Sequence, residues 1–181
     1  MFKTTFNSGC ILFTGGAKSG KSRLSLSFCE GLNRKKVFLA TAQALDQEME
    51  ERIRSHKEER GEEWLTMEEP LNVVDAIGRL DEKDTVILID CLTLWISNLF
   101  MEYGKAREFI DGSIDELLAR LSETKGVIVV VTNEVGMGIV PDNELSRRYR
   151  DTVGSANQQI ADIARKVVTV VAGLPLVLKD E

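Results

Sequence analysis

Histidine occurs once in this 181-residue chain, cysteine three times and proline three times, and aromatic residues make up only 6% of it. The single histidine, His56, cannot build a zinc site with Cys10, Cys29 and Cys91 at any usual ligand spacing. The cysteines are odd in number, widely spaced and include no CxxC pair, which excludes a disulfide framework. Long apolar runs are missing as well. The longest, Val167 to Leu178, is broken by Thr169, Gly173 and Pro175 and falls far short of the ~20 residues a membrane span needs. The opening MFKTTFNSG lacks the apolar core of a signal peptide. A positive balance is absent too, since 29 acidic and 23 basic side chains leave a net charge of −6. That argues against a nucleic-acid partner and against attachment to anionic membrane by charge, while leaving room for a local basic pocket. The expectation is a cytoplasmic protein with reduced thiols.

What is present is the composition of a globular protein, 43% hydrophobic and 29% charged. No repeat, low-complexity tract or Pro/Gly/Ser-rich linker divides the chain, so residues 1–181 read as a single domain. Apolar, β-branched runs at Cys10–Thr14, Val37–Thr41, Thr85–Asp90, Val127–Thr132 and Val167–Val171 have strand length. They are apolar almost throughout, the pattern of strands covered on both faces. Helical stretches lie between them at Lys21–Leu32, Asp46–Arg60, Leu71–Leu80, Leu92–Ser122 with a break near Gly104, and Glu144–Lys166. The alternation predicts an α/β fold with a mainly parallel sheet. The final VVTVVAGLPLVLK predicts an antiparallel hairpin about a Gly-Leu-Pro turn. In such sheets ligands bind beyond the carboxyl ends of the strands.

Gly15, Gly16, Ala17, Lys18, Ser19, Gly20, Lys21 and Ser22 match G-x-x-x-x-G-K-[ST] in full, with a strand pattern before and an amphipathic helix pattern after. The glycines let successive N–H groups turn toward phosphate oxygens, and the helix N-terminus adds positive potential there. Lys21 is then the residue that bridges the β- and γ-phosphates, and the Ser22 hydroxyl a ligand of Mg²⁺. The motif points to a nucleoside triphosphate, ATP or GTP. Asp90 ends an apolar strand, VILID, either as a turn-favouring residue or as the acid on the magnesium side of such a loop.

The segment DQEMEERIRSHKEERGEE is mostly charge. A plain reading makes it a solvated helix laced by i,i+4 pairs, with His56 a surface residue. Arg52 and Arg60 stand four residues either side of His56. On one helical face they disfavour imidazolium and form a cradle for phosphate, which suits a neutral nucleophile attacking phosphorus. Asn133-Glu134-Val135-Gly136-Met137-Gly138-Ile139-Val140-Pro141 reads as a shaped binding loop at a strand end or as an ordinary connection. Arg147, Arg148 and Arg150 either contact phosphate or solvate their helix, with solvation favoured for at least two.

Together these stretches resemble the bifunctional adenosylcobinamide kinase/adenosylcobinamide-phosphate guanylyltransferases of cobalamin biosynthesis. TGGAKSGKSR, LATAQ, RIRSHKEER, W-x-T-x-E at Trp64–Glu68, ILIDCLT and TNEVGMGIVP carry the resemblance, in order, through nearly the full length. It implies a three-layer, RecA-like P-loop fold and a homotrimer. It implies phosphorylation of the aminopropanol hydroxyl of adenosylcobinamide, then transfer of GMP from GTP through a histidine, for which His56 stands at the matching position. By the same resemblance Gly15–Ser22 hold nucleotide phosphates with Mg²⁺, and Ala40, Thr41 and Ala42 form a nucleotide-contacting loop. Lys57, Glu58, Glu59, Arg60, Glu68 and Asp90 fall at further nucleotide-binding positions. Two departures stand out. Asp90 occupies a position where relatives can have Glu, and Ser55 one where some have a second histidine. The competing expectations are a monofunctional P-loop kinase of another small metabolite and a nucleotide-dependent switch. The guanine-reading N-K-x-D signature of switch GTPases is absent from this chain, which counts against the switch.

Overall fold

A computed structural model describes residues 6–44, 47–58, 60–61, 63–104 and 106–181. The side chains of Glu48, Arg52, Ser55, His56 and Glu58 lie outside that description. The strands are β1 (Gly9–Gly15), β2 (Lys35–Ala40), β3 (Trp64–Glu68), β4 (Thr85–Asp90), β5 (Val127–Val131), β6 (Lys166–Val171) and β7 (Leu174–Asp180). The helices are α1 (Lys21–Glu30), α2 (Gln47–Glu58), α3 (Val73–Leu80), α4 (Leu92–Tyr103), α5 (Arg107–Ser122) and α6 (Glu144–Ile163). The strands form one sheet in the order β3-β2-β4-β5-β1-β6-β7, parallel except for β7. This is the expected α/β fold.

The uniformly apolar strands are apolar because each feeds two cores. In β1, Cys10 and Leu12 join the core under α3 to α6, whereas Ile11 and Phe13 join the one under α1. In β4, Ile87 and Ile89 face the first layer, and Val86 and Leu88 the second. The period of two thus gives three layers rather than a wet face. The covering helices follow their own period. α3 buries Val73, Ala76 and Ile77, and α5 buries Ile110, Ile114, Leu117 and Leu121. Among the described residues, no helix is long and apolar enough to cross a membrane.

The structure departs from expectation in four places. β3 is an additional strand, pairing parallel with β2 at the sheet's edge. Helix α2 ends at Glu58, so Arg60 lies beyond the helix and does not share a helical face with residue 56. Helix α6 ends at Ile163, and Lys166 opens β6 instead of closing the helix. The terminal hairpin turns at Ala172 and Gly173, with φ of 51° and 81°, so of the expected Gly-Leu-Pro turn only the glycine takes part and Leu174 already opens β7. Pro175 sits inside β7, an edge strand, where a missing N–H is tolerated.

Candidate active site

The loop between β1 and α1 is shaped by its neighbours as much as by its glycines. Gly15 has φ +150°, and a β-carbon there would lie 2.5 Å from the Val170 carbonyl oxygen and 2.8 Å from Ser19 Oγ. Gly20 has φ +95° and approaches Gly173, whose N–H donates to the Ser19 carbonyl at 2.8 Å. The β6–β7 turn therefore braces the loop from outside. Ser19 N–H donates to the Gly16 carbonyl, and Gly20 caps α1 without a side-chain hydrogen bond. The first amides of α1 consequently open toward the loop, as an anion site requires. Ala17 and Lys18 are exposed on its outer rim, and Lys18 adopts φ 55°. Lys21 is 7% exposed and donates through Nζ to the Gly16 carbonyl at 3.0 Å.

Lys21 and Ser22 open onto a cleft whose opposite wall is Asp90, Cys91 and Asn133. Strand order explains the juxtaposition. β5 lies between β1 and β4, so the residues after β4 and β5 end beside the phosphate loop. Ala40 and Ala42 border the same cleft. Thr41 between them is turned inward, its hydroxyl donating to the Cys91 carbonyl and accepting from Cys91 N–H, each at 2.9 Å. Asn98 Nδ2 donates to the Thr41 carbonyl at 2.8 Å, which fixes this corner to α4. Burial, and then the neighbouring Asp90 charge, push the Cys91 thiol up from its ordinary pKa.

Helix α2 forms the third wall through Met49, Ile53 and Lys57. His56 lies on this helix, but its side chain is outside the described residues, as are those of Arg52 and Glu58; Glu59 is outside altogether. Lys57 pairs with Glu68 of β3 at 2.5 Å, joining two of the positions that the resemblance implies. Arg60, 8% exposed, closes the cleft with its guanidinium 3.4 Å from the centre of the Phe38 ring.

The expected Mg²⁺ ligands, Ser22 and Asp90, stand in one cleft and supply hard oxygen donors of the kind this ion takes beside phosphate and water. Among the described residues no cluster of three or more His, Cys, Asp or Glu forms a protein-only metal site. The arginines of α6 divide by role. Arg147 donates to the Pro141 and Asp142 carbonyls, Arg150 pairs with Asp151, and Arg148 lies over Phe100. Arg148 also borders a groove of about 520 Å³ between α5 and α6, which no phosphate-loop residue lines. Sequence reasoning did not single out Met49, Ile53, Cys91 or Leu94 as cleft residues, because their apolar character reads as core. Asn133 was legible only as part of a loop.

A model of cobinamide kinase / cobinamide phosphate guanyltransferase matches residues 11–178. The bifunctional adenosylcobalamin biosynthesis protein CobP of Pseudomonas aeruginosa is 44% identical over 170 residues, covering 94% of this chain and 97% of that protein. Its counterpart CobU of Escherichia coli is 37% identical over 180 residues, covering 93% and 99%. Among solved structures, an ATPase of a bacterial type III secretion system superposes with a TM-score of 0.60 at 10% identity, covering 93% of this chain and 56% of that one. A Pyrococcus horikoshii protein superposes at 0.56 with 9% identity, covering 95% and 86%. Those two likenesses concern the fold alone, whereas the sequence matches run from β1 into β7. By that full-length match, with its phosphate loop and strand-end acid in one cleft, the chain belongs to the cobinamide kinase / cobinamide phosphate guanyltransferase family.

Proposed function

We propose that this chain is a bifunctional transferase. It phosphorylates the aminopropanol hydroxyl of adenosylcobinamide with ATP or GTP, then transfers GMP from GTP through His56 onto the new phosphate, yielding adenosylcobinamide-GDP and pyrophosphate. The observation that carries the reading is the shared cleft, which Lys21 and Ser22, Asp90, and α2, the helix of His56, line from three sides. Family membership supports the pair of activities.

In the first step the substrate hydroxyl oxygen bonds to the γ-phosphorus, and the β–γ bridging bond breaks with its electrons leaving on the nucleoside diphosphate. Lys21 neutralises the charge that spreads over the transferred group, and the α1 amides hold the remaining phosphates. Ser22 and Asp90 would hold Mg²⁺, which would supply further neutralisation of the phosphate charge. In the second step the neutral imidazole of His56 attacks the α-phosphorus of GTP and pyrophosphate leaves. The phosphate of the corrinoid then displaces the imidazole. Residues Gly15–Ser22, Ala40–Ala42, Lys57–Arg60 and Glu68 make up the nucleotide site. The protein works in the cytoplasm as a homotrimer of single-domain subunits, each spanning residues 1–181.

GTP radiolabelled at the α-phosphate tests the reading. The wild-type chain should acquire an acid-labile, comparatively base-stable label, as a phosphoramidate does. His56→Asn should lose both the label and adenosylcobinamide-GDP formation while keeping much of the kinase step. A labelled His56→Asn protein would show that His56 is not the nucleophile. Loss of kinase activity together with labelling would assign His56 to nucleotide positioning instead.

A further inference from the structure

Asn133 lies two residues beyond the end of β5, and its position is over-determined. Thr132 N–H donates to the Phe13 carbonyl at 2.9 Å and Glu134 N–H to the Gly15 carbonyl at 3.2 Å, so the segment is stitched to the strand that enters the phosphate loop. From the other side Asn157 of α6 donates to the Asn133 carbonyl at 3.3 Å and accepts from Thr132 Oγ1 at 2.7 Å. The Asn133 side chain is held just as firmly. Its Nδ2 donates to Thr93 Oγ1 at 2.8 Å and lies 3.8 Å from Cys91 Sγ. Tyr149 fixes Thr93 in turn by donating to its carbonyl at 2.9 Å, and burial pushes that phenol's pKa up to about 12.

A carboxamide whose nitrogen is committed to one side presents its oxygen to the other. Among the described residues no donor meets Asn133 Oδ1, and Asn133 borders the cleft together with Lys21, Ser22 and Asp90. An uncharged acceptor is a poor partner for phosphate oxygens, which are acceptors themselves. It is a good partner for a hydroxyl group. We propose that Asn133 is a catalytic residue of the kinase half-reaction: its Oδ1 accepts a hydrogen bond from the attacking substrate hydroxyl and aims that oxygen at the terminal phosphorus. Thr93 is the positioning residue that keeps the carboxamide turned this way. The hydroxyl oxygen forms the new bond to phosphorus, the nucleoside diphosphate leaves with the electrons of the broken bond, and the proton passes to water. Asn133 orients the nucleophile and removes no proton. The inference rests on the kinase activity proposed above.

The test uses the full chain with GTP, Mg²⁺ and adenosylcobinamide, measuring the kinase step and α-phosphate labelling side by side. Asn133→Ala should lower kcat of the kinase step roughly 10- to 100-fold, the scale of losing one orienting contact. It should leave KM for GTP within about twofold and labelling through His56 at the wild-type level, because attack at the α-phosphorus does not use the hydroxyl. Asn133→Asp keeps an acceptor in place and should retain more kinase activity than Asn133→Ala. Thr93→Val should lower kcat in the same direction but less, and Thr93→Ser should restore it. An Asn133→Ala enzyme with unchanged kcat, or one that loses both half-reactions in proportion, overturns the proposal. So does an Asn133→Asp enzyme slower than Asn133→Ala, since that is the behaviour of a group donating to phosphate. Wild-type chain that fails to phosphorylate adenosylcobinamide removes the proposed function itself, and this inference with it.

Discussion

Replacing Gly15 by alanine places a methyl group where β1 leaves no room. The new carbon would stand 2.5 Å from the Val170 carbonyl oxygen and 2.8 Å from Ser19 Oγ, at φ +150°. Val170 is the register partner of Gly15 in the β1–β6 ladder, so its carbonyl cannot swing aside without opening that pairing. A residue held in so sparsely populated a backbone region costs on the order of 1–3 kcal/mol, and forced overpacking a similar amount. Together they predict a loss of about 2–6 kcal/mol. For a chain of this size that corresponds to a melting temperature lower by roughly 4–24 °C. Gly16 is the internal control, because a β-carbon there meets nothing within 4 Å and its φ lies outside the left-handed region. Gly16→Ala should stay within about 0.5 kcal/mol of wild type. Thermal unfolding followed by circular dichroism without nucleotide, with urea midpoints as a second measure, compares the three proteins. The steric reasoning is refuted if Gly15→Ala melts within about 2 °C of wild type, or if Gly16→Ala falls as far, on the size scaling used above.

Lys21→Ala removes the charge proposed to face the triphosphate and should cost roughly 10²–10³-fold in rate in both half-reactions at saturating GTP; wild-type turnover would exclude that role. Asp90→Asn keeps the shape at the end of β4 and removes its charge, so the Mg²⁺ concentration needed for half-maximal activity should rise. An unchanged titration would leave Asp90 a strand terminus only. Burial pushes the Cys10 thiol from 9.0 up to about 12, so the unfolded chain gives up this proton first. The stability it contributes is complete below about pH 9 and is lost as pH rises toward 12. Urea midpoints of wild type should fall across that window, and those of Cys10→Ala less steeply; parallel slopes would contradict the burial effect.

The double-sided strands and the phosphate loop were legible in the sequence because each depends on local pattern. β3 was not. Trp64 is 8% exposed but Leu65 is 59% exposed, and five residues with so mixed a burial carry neither a buried run nor a clean alternation. The strand exists because β2 offers it a ladder, which is a tertiary fact. The same holds for Asn133, whose place in the cleft follows from β5 lying between β1 and β4. Arg60 continues the charge pattern of α2 in the sequence, yet leaves the helix to cover Phe38. Propensity describes the helix, whereas the contact of Arg60 with the Phe38 ring is tertiary and leaves no trace in the charge pattern.

The bracing of the phosphate loop by the last hairpin orders events during synthesis. β1 emerges from the ribosome early, but its two ladders require Val127 onward on one edge and Lys166 onward on the other. Until then the nascent strand lacks one or both of its neighbours, and the Ser19 carbonyl lacks the Gly173 N–H that braces it. Such non-local pairing makes closure slow, since a long loop must be closed before any contact rewards it. The loop's bracing is therefore complete only once the hairpin docks. Ligand present at that moment binds only the finished loop, so it draws the newly made chain toward the native state by mass action.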